Sequence, residues 1–238
     1  MICISFDTDH MDDARMATFL EAVEIPGTAT FFCTARFADL EGTGHELAPH
    51  PTLPEGAEWQ SELQRMRELF PDAQGWRSHS CVFSHVVAAW LSDNGYRYAS
   101  TNDQFGQRGI RPVRHPWGLW HLPIFYMDNM DFWNGGAGRG EPRDPFSQAL
   151  IDIAVANDGL YVFDFHPIHL LLNTPDRDRY FAVRDRFKAG EPLAGLVHDG
   201  VGTRRFYDAL CAALRRHGLA SVSLRLALDA HLERGDCP

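Results

Sequence analysis

The sequence predicts an α/β fold assembled from repeated βα units, a parallel sheet or barrel, and three observations predict it. Short apolar runs alternate with helical-period segments along the whole length. The run from Leu160 to Phe165 is strongly apolar, as a strand buried on both faces should be. At 238 residues, 45% of them hydrophobic, the chain suits one large domain, 1–238, better than two small ones, and it has neither a fixed-period repeat nor a low-complexity linker.

In chain order, strands are expected near 2–7 (where Ile2-Cys3-Ile4-Ser5-Phe6 opens the chain), 28–33, 44–48, 75–78, 97–100, 119–125, 160–165 and 219–223. Helices are expected near 12–24, 57–70, 84–94, 145–157, 203–217 and 224–233. The clearest is 203–217, because Phe206, Leu210, Ala213 and Leu214 fall on one stripe while Arg204, Arg205, Arg215 and Arg216 reach water. Gly218 then stops it. Two segments break the rhythm. Residues 126–145 are glycine-rich and long enough to be a loop over a site, and 172–202 read as an irregular excursion with at most one helix.

Charge and composition narrow the function. With 22 Lys+Arg against 32 Asp+Glu the net charge is −10, which disfavours nucleic acid as a partner. No apolar run is long enough for a membrane span, and the start lacks the basic and apolar regions of a signal peptide, so a cytoplasmic location is expected. The five cysteines show no metal or redox spacing and read as reduced thiols. Twelve histidines are the unusual entry.

In a parallel array the active site gathers at the carboxyl ends of the strands. The first strand ends Asp7-Thr8-Asp9-His10, and carboxylates two apart repel unless a cation or a proton separates them. The alternative there is a turn in which Asp9 or Asp12 caps a helix. His50, between Pro49 and Pro51, suits an oriented ligand, whereas His45 should face the other way and be structural. Arg77 and His79 sit two apart at the carboxyl end of 75–78, one to pair with Asp7 and the other to reach a metal. After 160–165 come His166 and His169, with Pro167 between them pointing to a strand-to-loop turn rather than a helix, so that His166 alone faces the site. Together these strand ends supply carboxylate and imidazole ligands, a second carboxylate as base and an imidazole as acid, the parts of a mononuclear metal hydrolase.

The order of these motifs resembles that of the polysaccharide deacetylase superfamily, the NodB-homology or carbohydrate esterase family four proteins. Ser5-Phe6-Asp7-Thr8-Asp9 is similar to its first motif, Ala29-Thr30-Phe31-Phe32 to its second strand, Gly44 to His50 to its metal-histidine motif, and Trp76-Arg77-Ser78-His79 to its arginine motif. Gly218 to Leu224 is similar to its closing strand and last helix, so the likeness spans nearly the whole chain. The resemblance implies a distorted (β/α) barrel of about seven strands. It implies Asp7 as catalytic base oriented by Arg77, Asp9 and His50 as metal ligands, and a histidine as the acid. Three departures stand out. The second metal histidine is replaced by Pro54, the arginine motif continues with His79-Ser80, and two places match the acid motif, His166-Pro167-Ile168-His169 and His198. His79 is expected to replace the missing ligand, and His166 is preferred as the acid to His169 or His198. Asp128 to Trp133 is similar, loosely, to the motif that contacts the acid.

The expected protein is a deacetylase that removes an N-acyl group, with acetyl the expected one, from a nucleotide- or lipid-linked sugar of surface-polysaccharide or O-antigen biosynthesis. Zn²⁺ is the expected ion for Asp9, His50 and His79. A backbone N–H near Ser80 is expected to steady the oxyanion. Trp133, with Trp117, Trp120 and Tyr126, is a candidate for stacking on sugar rings. The competing expectations are hydrolysis of a small non-sugar amide and a catalytically inactive sugar-binding barrel.

Overall fold

Strand β1 (Ile2–Asp7) is buried at all six positions, and its neighbours on both sides are parallel strands of the same kind, β2 (Ala29–Cys33) and β9 (Tyr161–Phe165). This computed structural model describes residues 1–53, 58–134 and 144–235. Beyond β2 lies β3 (Glu46–Pro49) and beyond β9 lies β8 (Ile124–Met127), giving a five-stranded parallel sheet in the order β3-β2-β1-β9-β8. A second sheet, β4-β5-β7-β6, is built from two-residue strands: β4 (Gly75–Trp76), β5 (Tyr98–Ala99), β6 (Val113–Arg114) and β7 (Trp120–His121). The two sheets meet at both margins. Arg77 N–H donates to Pro49 C=O at 3.3 Å and His79 N–H to Pro51 C=O at 2.9 Å, while Asp103 bridges Ile124 in parallel. The expected α/β barrel thus takes the form of two sheets joined by backbone bonds, with nine strands among the described residues rather than about seven.

Because side chains alternate along a strand, each strand presents one set to the inside. Cys3, Phe32, Ala48, Tyr98 and Val162 form an inner cluster with Leu224, Ala227 and Leu228 of helix α9 (Leu224–Glu233). That helix is tied to the strand starts: Leu224 N–H donates to Thr30 Oγ1 and Arg225 N–H to Glu46 Oε2, each at 2.9 Å. The other set (Ile4, Phe6, Phe31, Phe163, Phe165) packs outward in the main core with Phe19 of α1 (Asp13–Ala22) and with Phe206, Tyr207 and Leu210 of α8 (Thr203–Arg216). Continuing the inner face two residues at a time, Cys3 leads to Ser5 and Asp7, and Val162 to Asp164 and His166, so a polar layer follows the apolar one.

The other helices are α2 (Trp59–Leu69), α3 (His85–Asp93), α4 (Asp128–Asn134), α5 (Gln148–Ala156), α6 (Pro167–Leu172) and α7 (Arg177–Lys188). Asp12, Ser84, Asp176 and Ser223 each accept a first-turn N–H with their side chains, which fixes where α1, α3, α7 and α9 begin. No helix among the described residues is long and apolar enough to cross a membrane.

Several expectations are corrected. The strand expected at 219–223 is not formed; Ser221 makes a single bridge to Gly27, and its hydroxyl accepts the Ile4 N–H at 2.9 Å. The strand expected at 119–125 is two, β7 and β8, separated at Pro123, which has no N–H to give a ladder. The strand expected at 75–78 ends at Trp76 as Arg77 and His79 turn to bond the end of β3. The turn expected after His166 is helix α6, with Pro167 at its first position, where proline's missing N–H is harmless and its fixed φ suits the helix. The first part of the expected 126–145 loop is α4; the glycine-rich run that suggested a lid lies outside the described residues, as does Pro54.

Candidate active site

The inward faces of β1 and β9 deliver three neighbouring polar groups. Ser5 and Asp164 are direct partners in the ladder, and Ser5 Oγ donates to Asp164 Oδ1 at 2.6 Å. Arg77, fully buried just past β4, reaches into this layer, where its Nη1 donates to Asp7 Oδ1 at 2.8 Å, to Ser5 Oγ at 3.1 Å and to Asp164 Oδ1. The other side of the guanidinium is held by Ser100, whose C=O accepts from Nε at 2.7 Å and whose Oγ accepts from Nη2 at 2.8 Å. Its carbon lies 4.1 Å from the centroid of the Phe32 ring, the top of the apolar layer. Desolvation penalises this buried charge, but Asp164 and Asp7 outweigh it and keep Arg77 protonated. Burial raises the Asp164 carboxyl to about 7 despite Arg77, and Asp7 adds to the rise. Three charges thus share one small space, with Asp7 fixed by Arg77 and facing the cluster beyond.

Asp9 leaves β1 on the same side and meets two imidazoles. His50 Nε2 is 3.1 Å from Asp9 Oδ2 and 3.7 Å from Asp7 Oδ2, and His79 Nδ1 is 3.0 Å from Asp9 Oδ1. Burial would raise the Asp9 pKa, but the hydrogen bonds from His50 and His79 hold it well below the usual carboxylate range. His50 is itself raised, burial being outweighed by Asp7 and Asp9. Its Nδ1 lies 3.1 Å from the Arg77 carbonyl, which can only accept, so Nδ1 carries the hydrogen and Nε2 is aimed at Asp9. After His79 the chain turns through two successive left-handed residues, Ser80 (φ 58°) and Cys81 (φ 53°), a conformation that side-chain-bearing residues seldom adopt. Ser78 Oγ braces the turn by donating to Val82 C=O at 2.6 Å. Ser80 is exposed, and His79 keeps 43% of its side chain accessible, so the cluster opens to solvent on this side.

One carboxylate and two imidazoles whose ligand atoms all lie within 4.8 Å of one another can hold a metal ion. This donor set leaves a tetrahedral ion one open position, as a catalytic zinc site requires. The residues present therefore fit a divalent ion.

Opposite them stands His166, at the start of α6, with Nε2 3.8 Å from Asp9 Oδ2. Asp128, at the start of α4, takes its ring Nδ1 at 2.8 Å and its backbone N–H at 2.8 Å. Burial lowers the His166 pKa, but Asp128 more than reverses this and raises it to about 10, so the ring carries both protons near neutrality and offers Nε2–H to the site. His169, also buried, is pushed down to about 3 by desolvation and bonds Thr174 Oγ1 at 3.1 Å. Asp128, His166 and His169 form a second set of grouped ligand atoms, but both Asp128 oxygens are already committed to His166. The backbone of His198 bonds Leu172 and Asn173.

The structure thus brings together Asp7, Asp9, His50, Arg77, His79 and His166, and adds residues to which sequence reasoning gave no role: Ser5, Ser100 and Asp164. Asp164 was findable, because it lies two positions before His166 on one strand and so shares its face. Trp133, an exposed residue of α4, is edge-on to Phe181 at 5.4 Å with Arg177 5.1 Å from its ring. Trp120 and Tyr126, expected as sugar platforms, are buried, Trp120 in the inner cluster and Tyr126 against Phe163, Phe165 and Phe206.

Comparison with known proteins gives the family of the chain. Residues 4–184 match the family model described as WbmS-like polysaccharide deacetylase. The crystal structure of Bordetella bronchiseptica WbmS, assigned as a polysaccharide deacetylase involved in O-antigen biosynthesis, is similar with a TM-score of 0.72 at 25% identity, covering 89% of each chain. A Mycobacterium smegmatis protein, also assigned as a polysaccharide deacetylase, has a TM-score of 0.48 at 18% identity over 94% of this chain and 92% of that one, too low to carry an argument. No curated protein matches. With the family model spanning residues 4–184, this chain belongs to the WbmS-like polysaccharide deacetylases.

Proposed function

We propose that the protein is a zinc-dependent deacetylase that hydrolyses the N-acetyl group of a nucleotide- or lipid-linked sugar, in a pathway like the O-antigen biosynthesis ascribed to its Bordetella relative. The observation that carries this is the position of Asp9 between His50 and His79, with the Arg77-held Asp7 on one side and the Asp128-held His166 on the other.

Asp9, His50 and His79 would hold the ion. Bound there, zinc supplies Lewis-acid polarisation of the amide carbonyl and acidifies the attacking water. Asp7 is the base that takes the proton from this water, and Arg77 keeps its carboxylate aimed at the cluster. As the carbonyl carbon gains oxygen, a backbone N–H near Ser80 would steady the developing oxyanion. His166 gives its Nε2 proton to the amide nitrogen, the C–N bond breaks, and acetate and the free amino sugar leave. Asp128 stabilises the protonated His166 before transfer and holds its ring in place throughout.

The test is a metal-loaded preparation assayed for acetate release from N-acetylated sugars and from small linear amides. Release from the sugars with a matched loss in Asp7→Asn is expected. Turnover of the linear amides alone would assign the site to a different amide, and no loss in Asp7→Asn in any assay would favour a binding protein.

A further inference from the structure

Asp164 lies in the layer below Asp7, and the proposed reaction gives it no task. It is fully buried, opposite Ser5 of β1 in the ladder and two positions before His166 on β9. A carboxyl group taken so far from water is costly unless its partners recover the loss, so those partners indicate what it is for.

Both of its hydrogen bonds among the described residues run through Oδ1, one from Ser5 Oγ at 2.6 Å and one from Arg77 Nη1. Its Oδ2 is buried with no hydrogen-bond partner among the described residues. Arg77 Nη1 also donates to Asp7 Oδ1 at 2.8 Å and to Ser5 Oγ at 3.1 Å. A terminal guanidinium nitrogen carries two hydrogens, so three acceptors compete for two bonds. Nε and Nη2 bring no relief, because both are turned to Ser100. One buried cation is thus divided between two carboxylates, and the charge on either decides how firmly it holds the other.

The division matters at the moment Asp7 acts. Before the reaction Asp7 is an anion and Arg77 its counter-charge. Once Asp7 has taken the proton from water it is neutral, and a guanidinium with 0% of its surface exposed needs another anion. Asp164 is already bonded to the same nitrogen and can supply it, provided that its own carboxyl is ionised. We propose that Asp164 is a positioning residue for the base, acting through Arg77: its carboxylate takes over the guanidinium as Asp7 is protonated, so that proton transfer strands no buried charge. This rests on the deacetylase reading and adds a residue to its first step.

The balance of forces at Asp164 makes the role measurable. Burial raises its pKa to about 7; Arg77, His166 and the Ser5 hydroxyl favour the anion, whereas Asp7 opposes it. The Cys81 thiol, also within electrostatic reach, is kept neutral by its own burial. An ion on Asp9, His50 and His79 would favour the anion further, so Asp164 should ionise at or slightly below about pH 7.

Acetate release by the zinc-loaded protein is followed between about pH 5 and 9 in the wild type, Asp164→Asn and Ser5→Ala, with zinc content measured in each. The substrates are the N-acetylated sugars of the assay above, N-acetylglucosamine and its uridine-diphosphate conjugate among them. In the wild type kcat should climb through the ionisation of Asp164 and then level. Asp164→Asn should lose about 10–100-fold at the plateau with KM little changed, and its acid limb should move to lower pH. Ser5→Ala, a smaller change that leaves both carboxylates in place, should move the limb up by about 0.5–1 pH unit, because the anion loses a hydrogen bond. Lost packing alone would lower activity without moving either limb. Full activity in Asp164→Asn, or an acid limb that stays in place in either variant, would overturn the role of Asp164 and leave the deacetylase standing. No acetate from any N-acetylated sugar in the wild type would remove both.

Discussion

Asp128 holds His166 by two bonds at once, one oxygen 2.8 Å from the backbone nitrogen and the other 2.8 Å from ring Nδ1. Two bonds from one rigid carboxylate fix both where the ring stands and how it is rotated, which a single contact would not. Asp128→Asn should keep the position but lose the charge that keeps His166 protonated. Acetate release should fall by about 10–100-fold in kcat, with KM little changed and the alkaline limb of the pH profile moved to lower pH. His166→Ala should cost about 10²–10⁴-fold. Steady-state kinetics across pH on both variants checks this, and an unmoved alkaline limb in Asp128→Asn would remove the acid role of His166.

The buried Arg77 sits among Asp7, Asp164, Ser5 and Ser100. Arg77→Met leaves two carboxylates without their cation and should destabilise the fold by about 3–5 kcal/mol. Adding Asp164→Asn should recover part of that loss, because one of the stranded charges is then gone. Denaturant unfolding of the single and double variants measures both quantities.

His50→Ala and His79→Ala should each reduce zinc bound per chain, measured by atomic spectrometry after reconstitution. His50 is fully enclosed and anchored by the Arg77 carbonyl, whereas His79 is partly exposed. The His50 variant should therefore lose more. Unchanged metal content in His79→Ala would exclude it as a ligand.

Stability without metal should fall as pH rises above about 6.5, where His166 and the last of the Asp164 contribution act in the same direction. His166 has a folded pKa raised to about 10, so its contribution is complete below its unfolded value near 6.5 and is lost as pH climbs through about 10. Asp164 is raised to about 7, so what it contributes in the protonated form is complete below the ordinary carboxylate range and is lost by about 7. Below about 6.5 the neutral, buried His169, held down to about 3, gains with pH roughly what Asp164 loses; thermal melts of the metal-free protein should therefore stay nearly level from pH 5 to about 6.5 and decline from there to pH 10, and Asp128→Asn should flatten that decline.

Gly75 opens β4 where an added Cβ would stand 2.2 Å from the Tyr98 hydroxyl oxygen. Gly75→Ala should cost about 1–3 kcal/mol through overpacking, read as a lower melting temperature.

How far the sequence could be read follows from which forces are local. The apolar runs that became β1, β2, β3 and β9 are visible because burial on both faces leaves a compositional trace, and the polar residues that end them mark one edge of the sheet. From that edge Asp7, Asp9, His50, Arg77, His79 and His166 could all be singled out. The two-residue strands of the second sheet leave little trace, and 219–223, apolar enough to pass for a strand, is held by scattered backbone bonds to Pro26, Thr28 and Ile2 and by the Ser221 hydroxyl rather than by a continuous ladder. Pro167 misled because proline breaks a helix from within but starts one well, and only the neighbouring chain decides which. Ser100 and Asp128 act through pairings over 23 and 38 residues of sequence, which no local pattern records.

The place of β1 has a consequence for motion. It is the middle strand of the larger sheet, bonded on both sides over nearly its full length, so it cannot open without parting two ladders at once. Amide exchange along β1 should accordingly proceed only through global unfolding, while the margins near β4 and β6 exchange by local opening. The two carboxylates that this strand sends into the site are then held in register for as long as the protein is folded, and whatever adapts to a substrate must do so in the segments around them.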